Sequence, residues 1–230
     1  YKDGDVTLKG FLALDDQSDH KRPGILVMPE AFGLGAQAKE RVLRLAALGY
    51  VALAADPYGD GLEVDNLPDA IAQMTAIRAT PEKFRQRAQV ALDALSALPQ
   101  VDSDRLAMIG FCMGGSSSLE MARDGAPLRG VVSFHGGLET EKPAEAGKIT
   151  AKVLVCHGVD DPFVPPAQVN AFQEEMTKSG ANWELISYGN TVHSFTNPYA
   201  DSAGIDGIAY NQQADERSWK SMRDFFAEIF

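Results

Sequence analysis

The sequence is poor in cysteine: 230 residues hold two, Cys112 and Cys156. One disulfide is the most they can form, so a secreted disulfide framework is excluded. Histidine is scarce too, with four in all. No Cys/His cluster or histidine pair has metal-ligand spacing, so neither a metal nor another cofactor is expected. Basic charge is in the minority. Lys plus Arg number 21 against 32 Asp plus Glu, a formal charge of −11. Nucleic-acid surfaces need clustered Lys and Arg, and so do faces that bind anionic membranes, so neither partner is expected. No apolar run approaches the roughly 18 residues of a membrane span. Repeats, low-complexity tracts and charge blocks are absent. The chain reads as soluble and cytoplasmic. It begins at Tyr1 rather than Met, so a preceding signal peptide and a periplasmic location stay open.

What is present is globular: 45% hydrophobic and 23% charged residues. Residues 1–230 read as one domain, long enough to bury a core without staples. Short apolar runs alternate with amphipathic ones. Val6 to Ala13 alternates like an edge strand or hairpin arm, and Gly24 to Met28 reads as a strand buried on both faces. Further strands are expected at Tyr50 to Ala54, Asp104 to Phe111, Gly130 to Phe134, Lys152 to His157 and Trp183 to Tyr188. Helical spacing covers Gln37 to Leu48, Pro68 to Thr80, Pro81 to Leu98, Met113 to Arg123, Ala167 to Ser179 and Ala214 to Phe230. This β-α alternation implies an α/β fold, a mostly parallel sheet of about eight strands with helices on both faces. Ligands then bind beyond the carboxyl ends of the strands, so the residues just after each strand matter most.

After Asp104 to Phe111 comes Gly110-Phe111-Cys112-Met113-Gly114-Gly115, a G-x-C-x-G junction between strand and helix. Such a turn lifts its central side chain above the sheet, and the glycines let strand and helix approach. The Cys112 sulfur then lies at a helix N-terminus, which favours a nucleophilic thiolate. Cys156 sits inside an apolar strand and reads as structural. After Lys152 to His157 come Asp160 and Asp161; Asp161 is favoured as an imidazole partner because Pro162 biases it to an extended backbone. After Trp183 to Tyr188 comes His193. Nucleophile, acid, histidine is the chain order of α/β-hydrolase triads. His135 follows another strand and is expected to reach the wall of the site. The loop after Gly24 to Met28 nominates Ala31, with Met113, for a pair of oxyanion-binding N–H groups. Glu30 in that loop is positioned to modulate the thiol.

These segments together resemble the dienelactone hydrolase family of α/β-hydrolases. The similarity spans nearly the whole chain: residues 24–33, 49–59, the cysteine elbow at 110–115, the acid loop at 158–165, the His193-Ser194-Phe195 loop, and the trailer Tyr210-Asn211 with Ala214, Arg217, Ser218 and Trp219. The resemblance implies Cys112 as nucleophile, His193 as base, Asp161 as its partner and Glu30 as thiol modulator. It implies hydrolysis of a small ester or lactone through an acyl-enzyme, by a monomer or homodimer. There is one departure. Where the family places a substrate arginine four residues after the histidine, this chain has Asn197, which can hydrogen-bond but cannot form a bidentate ion pair. Asn197 is therefore a candidate substrate contact, and a neutral ester or lactone is as well suited as an anionic one. Arg78, Arg85 and Arg87 lie in the region of the family's second substrate arginine. Two other readings keep the same fold. One is a non-catalytic or thiol redox-sensing protein; the other is an acyl- or peptidyl-transferase that differs only in what removes the acyl group.

Overall fold

The computed structural model describes residues 1–15 and 20–230. A seven-stranded sheet forms its centre, in the order β3-β5-β4-β6-β7-β8-β9. Its strands are β3 (Phe11–Ala13), β4 (Arg22–Met28), β5 (Val51–Ala54), β6 (Val101–Phe111), β7 (Gly130–Phe134), β8 (Lys152–Gly158) and β9 (Trp183–Tyr188). All neighbours pair parallel except the edge strand β3, which runs antiparallel to β5.

The expected run Val6 to Ala13 is divided. Val6–Thr7 (β2) pairs with Lys2–Asp3 (β1) in a separate hairpin, and only Phe11–Ala13 joins the main sheet. The interruption has a local cause. The Lys9 N–H donates to the Asp56 carboxylate at 2.9 Å instead of to a strand. Strand β4 starts at Arg22, earlier than expected, and its register against β6 shifts between Pro23 and Gly24. Proline lacks the N–H that a regular ladder uses there.

Period-2 alternation sends the β4 side chains to opposite faces. Ile25 and Val27 pack beneath α1 (Ala36–Ala46) and α6 (Gln212–Ile229), with Val42, Leu45, Trp219 and Phe226. Leu26 and Met28 pack beneath α3 (Pro81–Ser96), α4 (Met113–Asp124) and α5 (Pro166–Ser179), with Leu92, Leu95, Leu119 and Phe172. Burial of both strand faces explains the continuous apolar run. The remaining helix, α2 (Leu67–Arg78), is capped by the Asn66 side chain, which accepts from the Asp69 N–H, and has Pro68 in its first turn. No helix among the described residues is long and apolar enough to cross a membrane.

The sheet grows outward from β4 in one direction to β5 and in the other to β6. That reversal makes a crevice at the carboxyl ends of β4 and β6, the usual ligand position in such sheets. The Glu30 loop follows β4 and Cys112 follows β6, so both meet at this crevice.

Candidate active site

Cys112 occupies a sharp turn between β6 and α4 with φ 52° and ψ −117°. A non-glycine residue there is strained, at a cost of about 1–3 kcal/mol. The flanking glycines make the turn possible. A Cβ on Gly110 would lie 2.0 Å from the Gly114 carbonyl oxygen, and one on Gly114 would lie 2.2 Å from that of Met28. The Cys112 side chain is partly exposed, whereas Cys156 is buried in β8, and both are free thiols. Burial pushes the Cys156 thiol up to about 12, which keeps it protonated and inert.

His193 stands in the loop after β9, 6% exposed. Its N–H donates to the Gly207 carbonyl at 3.0 Å and its carbonyl accepts from Ala209 at 3.2 Å, so the chain on both sides of Ile208 braces it. Its Nδ1 lies 2.7 Å from Asp161 Oδ2. The other Asp161 oxygen, Oδ1, accepts from the Phe163 N–H at 2.9 Å. Asp161 is buried and Asp160 is exposed, so the residue before Pro162 is the one turned inward. Burial alone would push the His193 imidazole down. Electrostatic attraction to Cys112, hydrogen bonds to Asp161 and Cys112, and the Asp161 charge outweigh it and hold the group well above its usual 6.5. The structure therefore brings Cys112, His193 and Asp161 together. With Nδ1 turned to Asp161, Nε2 is the ring nitrogen left for Cys112.

Ala31 and Met113 line the same cavity as Cys112. Among the described residues neither backbone N–H donates to a backbone carbonyl outside the regular elements. Tyr58, which sequence reasoning missed, steadies both: its hydroxyl donates to the Ala31 carbonyl at 2.7 Å and lies 3.5 Å from Met113 Sδ.

Glu30 is 6% exposed, and Asn197 Nδ2 donates to its Oε2 at 2.6 Å. Its Oε1 is buried and has no hydrogen-bond partner among the described residues. Burial raises the carboxyl above its usual range, opposed by the Asn197 and Ser194 hydrogen bonds and the His193 and Arg41 charges. Asn197 thus faces Glu30. It borders a neighbouring cavity of about 330 Å³ and not the one that holds Cys112. Its expected direct contact with substrate gives way to a hold on Glu30.

His135 is likewise not a wall residue. It is 1% exposed and does not border the cavity; its ring lies behind Cys112, edge-on to His193 at 5.3 Å. The left-handed φ of 42° at His135 turns the side chain beneath the elbow.

The cavity beside Cys112 has a volume of about 370 Å³. One face of α2 supplies much of its wall: Leu67, Ala70, Ile71, Met74 and Arg78, spaced as on a single helical stripe. Phe32, Phe163, Val164, Ile205 and Ile208 add to an apolar lining. Of the three arginines noted, only Arg78 borders the cavity, 3.9 Å from Glu139. Arg85 is bound to Glu120 and Asp124, and Arg87 to Asp3. No cluster of metal-ligating side chains occurs among the described residues.

A family model described as "Dienelactone hydrolase family" matches residues 8–230. A solved structure called m3DLH is 46% identical and covers 100% of this chain and 96% of its own, with a TM-score of 0.96. The dienelactone hydrolase-like promiscuous phosphotriesterase P91 from metagenomic libraries is 45% identical over 100% of this chain and 96% of its own, with a TM-score of 0.95. The Bradyrhizobium protein named probable 2-oxo-3-(5-oxofuran-2-ylidene)propanoate lactonase is 28% identical over 86% of this chain and 81% of its own length.

Proposed function

The chain belongs to the dienelactone hydrolase family, and from that premise we propose that it hydrolyses a small neutral ester or lactone through an acyl-enzyme on Cys112. The observation that carries this reading is the grouping at the crevice: Asp161 Oδ2 lies 2.7 Å from His193 Nδ1, and the His193 imidazole and Cys112 border the same cavity.

Cys112 gives its proton to His193 and attacks the carbonyl carbon as a thiolate. The carbonyl π electrons move to oxygen, and the Ala31 and Met113 N–H groups bind the resulting oxyanion. The tetrahedral species collapses and expels the alkoxide or enolate, which takes the proton from His193. A thioester remains. Water then attacks it while His193 accepts a water proton; the second collapse releases the acid and returns the thiolate. Asp161 keeps the His193 proton on Nδ1 when the ring is neutral and stabilises the imidazolium when it is charged. Glu30 modulates this pair: ionised, it favours the imidazolium; protonated, it leaves the thiolate unopposed.

The cavity supports neutral substrates. Its lining is apolar, Arg78 faces the Glu139 carboxylate, and Asn197 is committed to Glu30. A neutral phosphotriester offers the same thiolate and N–H pair an electrophile of similar demand, which matches the name given to P91. The reading is tested with a short-chain p-nitrophenyl ester. Wild-type protein is expected to release p-nitrophenol, and Cys112→Ala to lose at least about 1,000-fold in kcat; undiminished turnover in the variant would refute it.

A further inference from the structure

We propose that His135 is a positioning residue that locks the nucleophile elbow to the histidine loop, through Nδ1 on the Cys112 backbone and Nε2 on Thr196. The inference rests on the reading of Cys112 as nucleophile.

The Cys112 N–H reaches His135 Nδ1 at 3.1 Å while also contacting the Phe134 carbonyl at 3.0 Å. A backbone N–H can only donate, so Nδ1 must present its lone pair and the ring proton sits on Nε2. Nε2–H then donates to Thr196 Oγ1, 2.8 Å away. Thr196 lies three residues beyond His193 and is fully buried. One imidazole thus binds the strained turn that carries the sulfur and the loop that carries the base.

The frame is anchored on every side. The His135 backbone N–H donates to the Cys156 carbonyl at 2.9 Å, fixing the ring's own base to β8. Arg41 donates to the Thr196 carbonyl and pairs with Asp215 Oδ1 at 2.8 Å. The ring packs edge-on against Phe195 at 5.1 Å as well as His193. Burial, with the His193 and Arg41 charges, holds the His135 imidazole well below its usual 6.5, consistent with the neutral tautomer that the contacts demand. A displaced elbow would leave the sulfur off the line of attack, and small displacements at a reacting atom are expensive in rate.

The test uses two uncharged replacements. His135→Asn keeps an acceptor near the Nδ1 position and suits the positive φ. His135→Gln keeps a donor near Nε2 and gives up the acceptor. We expect His135→Gln to lose about 10- to 100-fold in kcat, with KM within about twofold, and His135→Asn to lose only about three- to fivefold. The rate of Cys112 alkylation by iodoacetamide should fall in the same order. Thr196→Val and Thr196→Ser supply a second pair that leaves the elbow side of the frame intact: valine should lose about tenfold in kcat and serine should recover most of it. Equal losses in both members of a pair, losses carried by KM, or wild-type alkylation rates in the impaired variants would overturn the role. Were the wild-type protein to turn over no ester, the acyl-enzyme reading would fail, while alkylation would still decide the role of His135.

Discussion

Asp161 and His193, 32 residues apart in sequence, meet through a 2.7 Å contact between Oδ2 and Nδ1. The contact does two things. It selects the tautomer whose Nε2 can face the sulfur, and it helps hold the buried His193 imidazole above its usual 6.5.

His193 should therefore titrate above 6.5 when followed by imidazole proton NMR. In Cys112→Ala and Asp161→Asn the raising influences weaken while burial remains, so the midpoint should fall in both. Because the folded value is raised, this pairing stabilises the protein fully below the unfolded value near 6.5 and the gain fades as pH climbs through the folded value. Asp161→Asn should also lose about 100- to 10,000-fold in kcat. A midpoint that stays put in Asp161→Asn would contradict the coupling.

The strain at Cys112 predicts an unusual stability order. With φ at 52°, alanine keeps the backbone penalty and glycine releases much of it. Chemical denaturation should find Cys112→Gly at least about 1 kcal/mol more stable than Cys112→Ala, although neither should turn over ester. The reverse order would mean that the turn stores no strain.

Glu30 has the opposite electrostatic situation from a paired surface acid, since burial lifts its folded value above 4.5. Folding therefore favours its protonated form, and stability declines as pH rises from the unfolded value through the folded one. Glu30→Gln removes that decline. Its melting temperature should exceed that of wild type at pH 8, with the gap closing below pH 4.5. A gap independent of pH would assign the effect to packing.

Asn197→Arg places a guanidinium where the amide now holds Glu30. The cation should draw Glu30 toward its ionised form and offer a bidentate partner to carboxylates. The ratio of kcat/KM for a carboxylate-bearing lactone to that for a neutral ester should rise by about tenfold or more. An unchanged ratio would show that this position does not govern substrate charge.

Much of the candidate site is legible in the sequence because its constraints are local. Gly110 and Gly114 flank Cys112 for a reason of contact distance alone, and Pro162 distinguishes Asp161 from Asp160 through the backbone. Continuous apolar runs marked β4 through β8 because those strands are buried on both faces. What could not be read depended on where distant loops point their side chains. Nothing near Asn197 announces that it turns to Glu30, 167 residues away. His135 was visible as a residue after a strand, but its place beneath the elbow follows from a left-handed backbone and from Thr196. The break between β2 and β3 likewise depends on Asp56 capturing the Lys9 N–H from another strand's loop.

The proposed acyl-enzyme requires that the substrate's carbonyl carbon become bonded to the Cys112 sulfur. Rapid acid quenching of the protein with p-nitrophenyl acetate, followed by peptide mass spectrometry, tests it directly. One acetyl group on the peptide containing Cys112, formed and lost at rates compatible with turnover and absent from Cys112→Ala, is the predicted result. Steady turnover by wild type with no acyl group on that peptide, or with the acyl group on another residue, would contradict it.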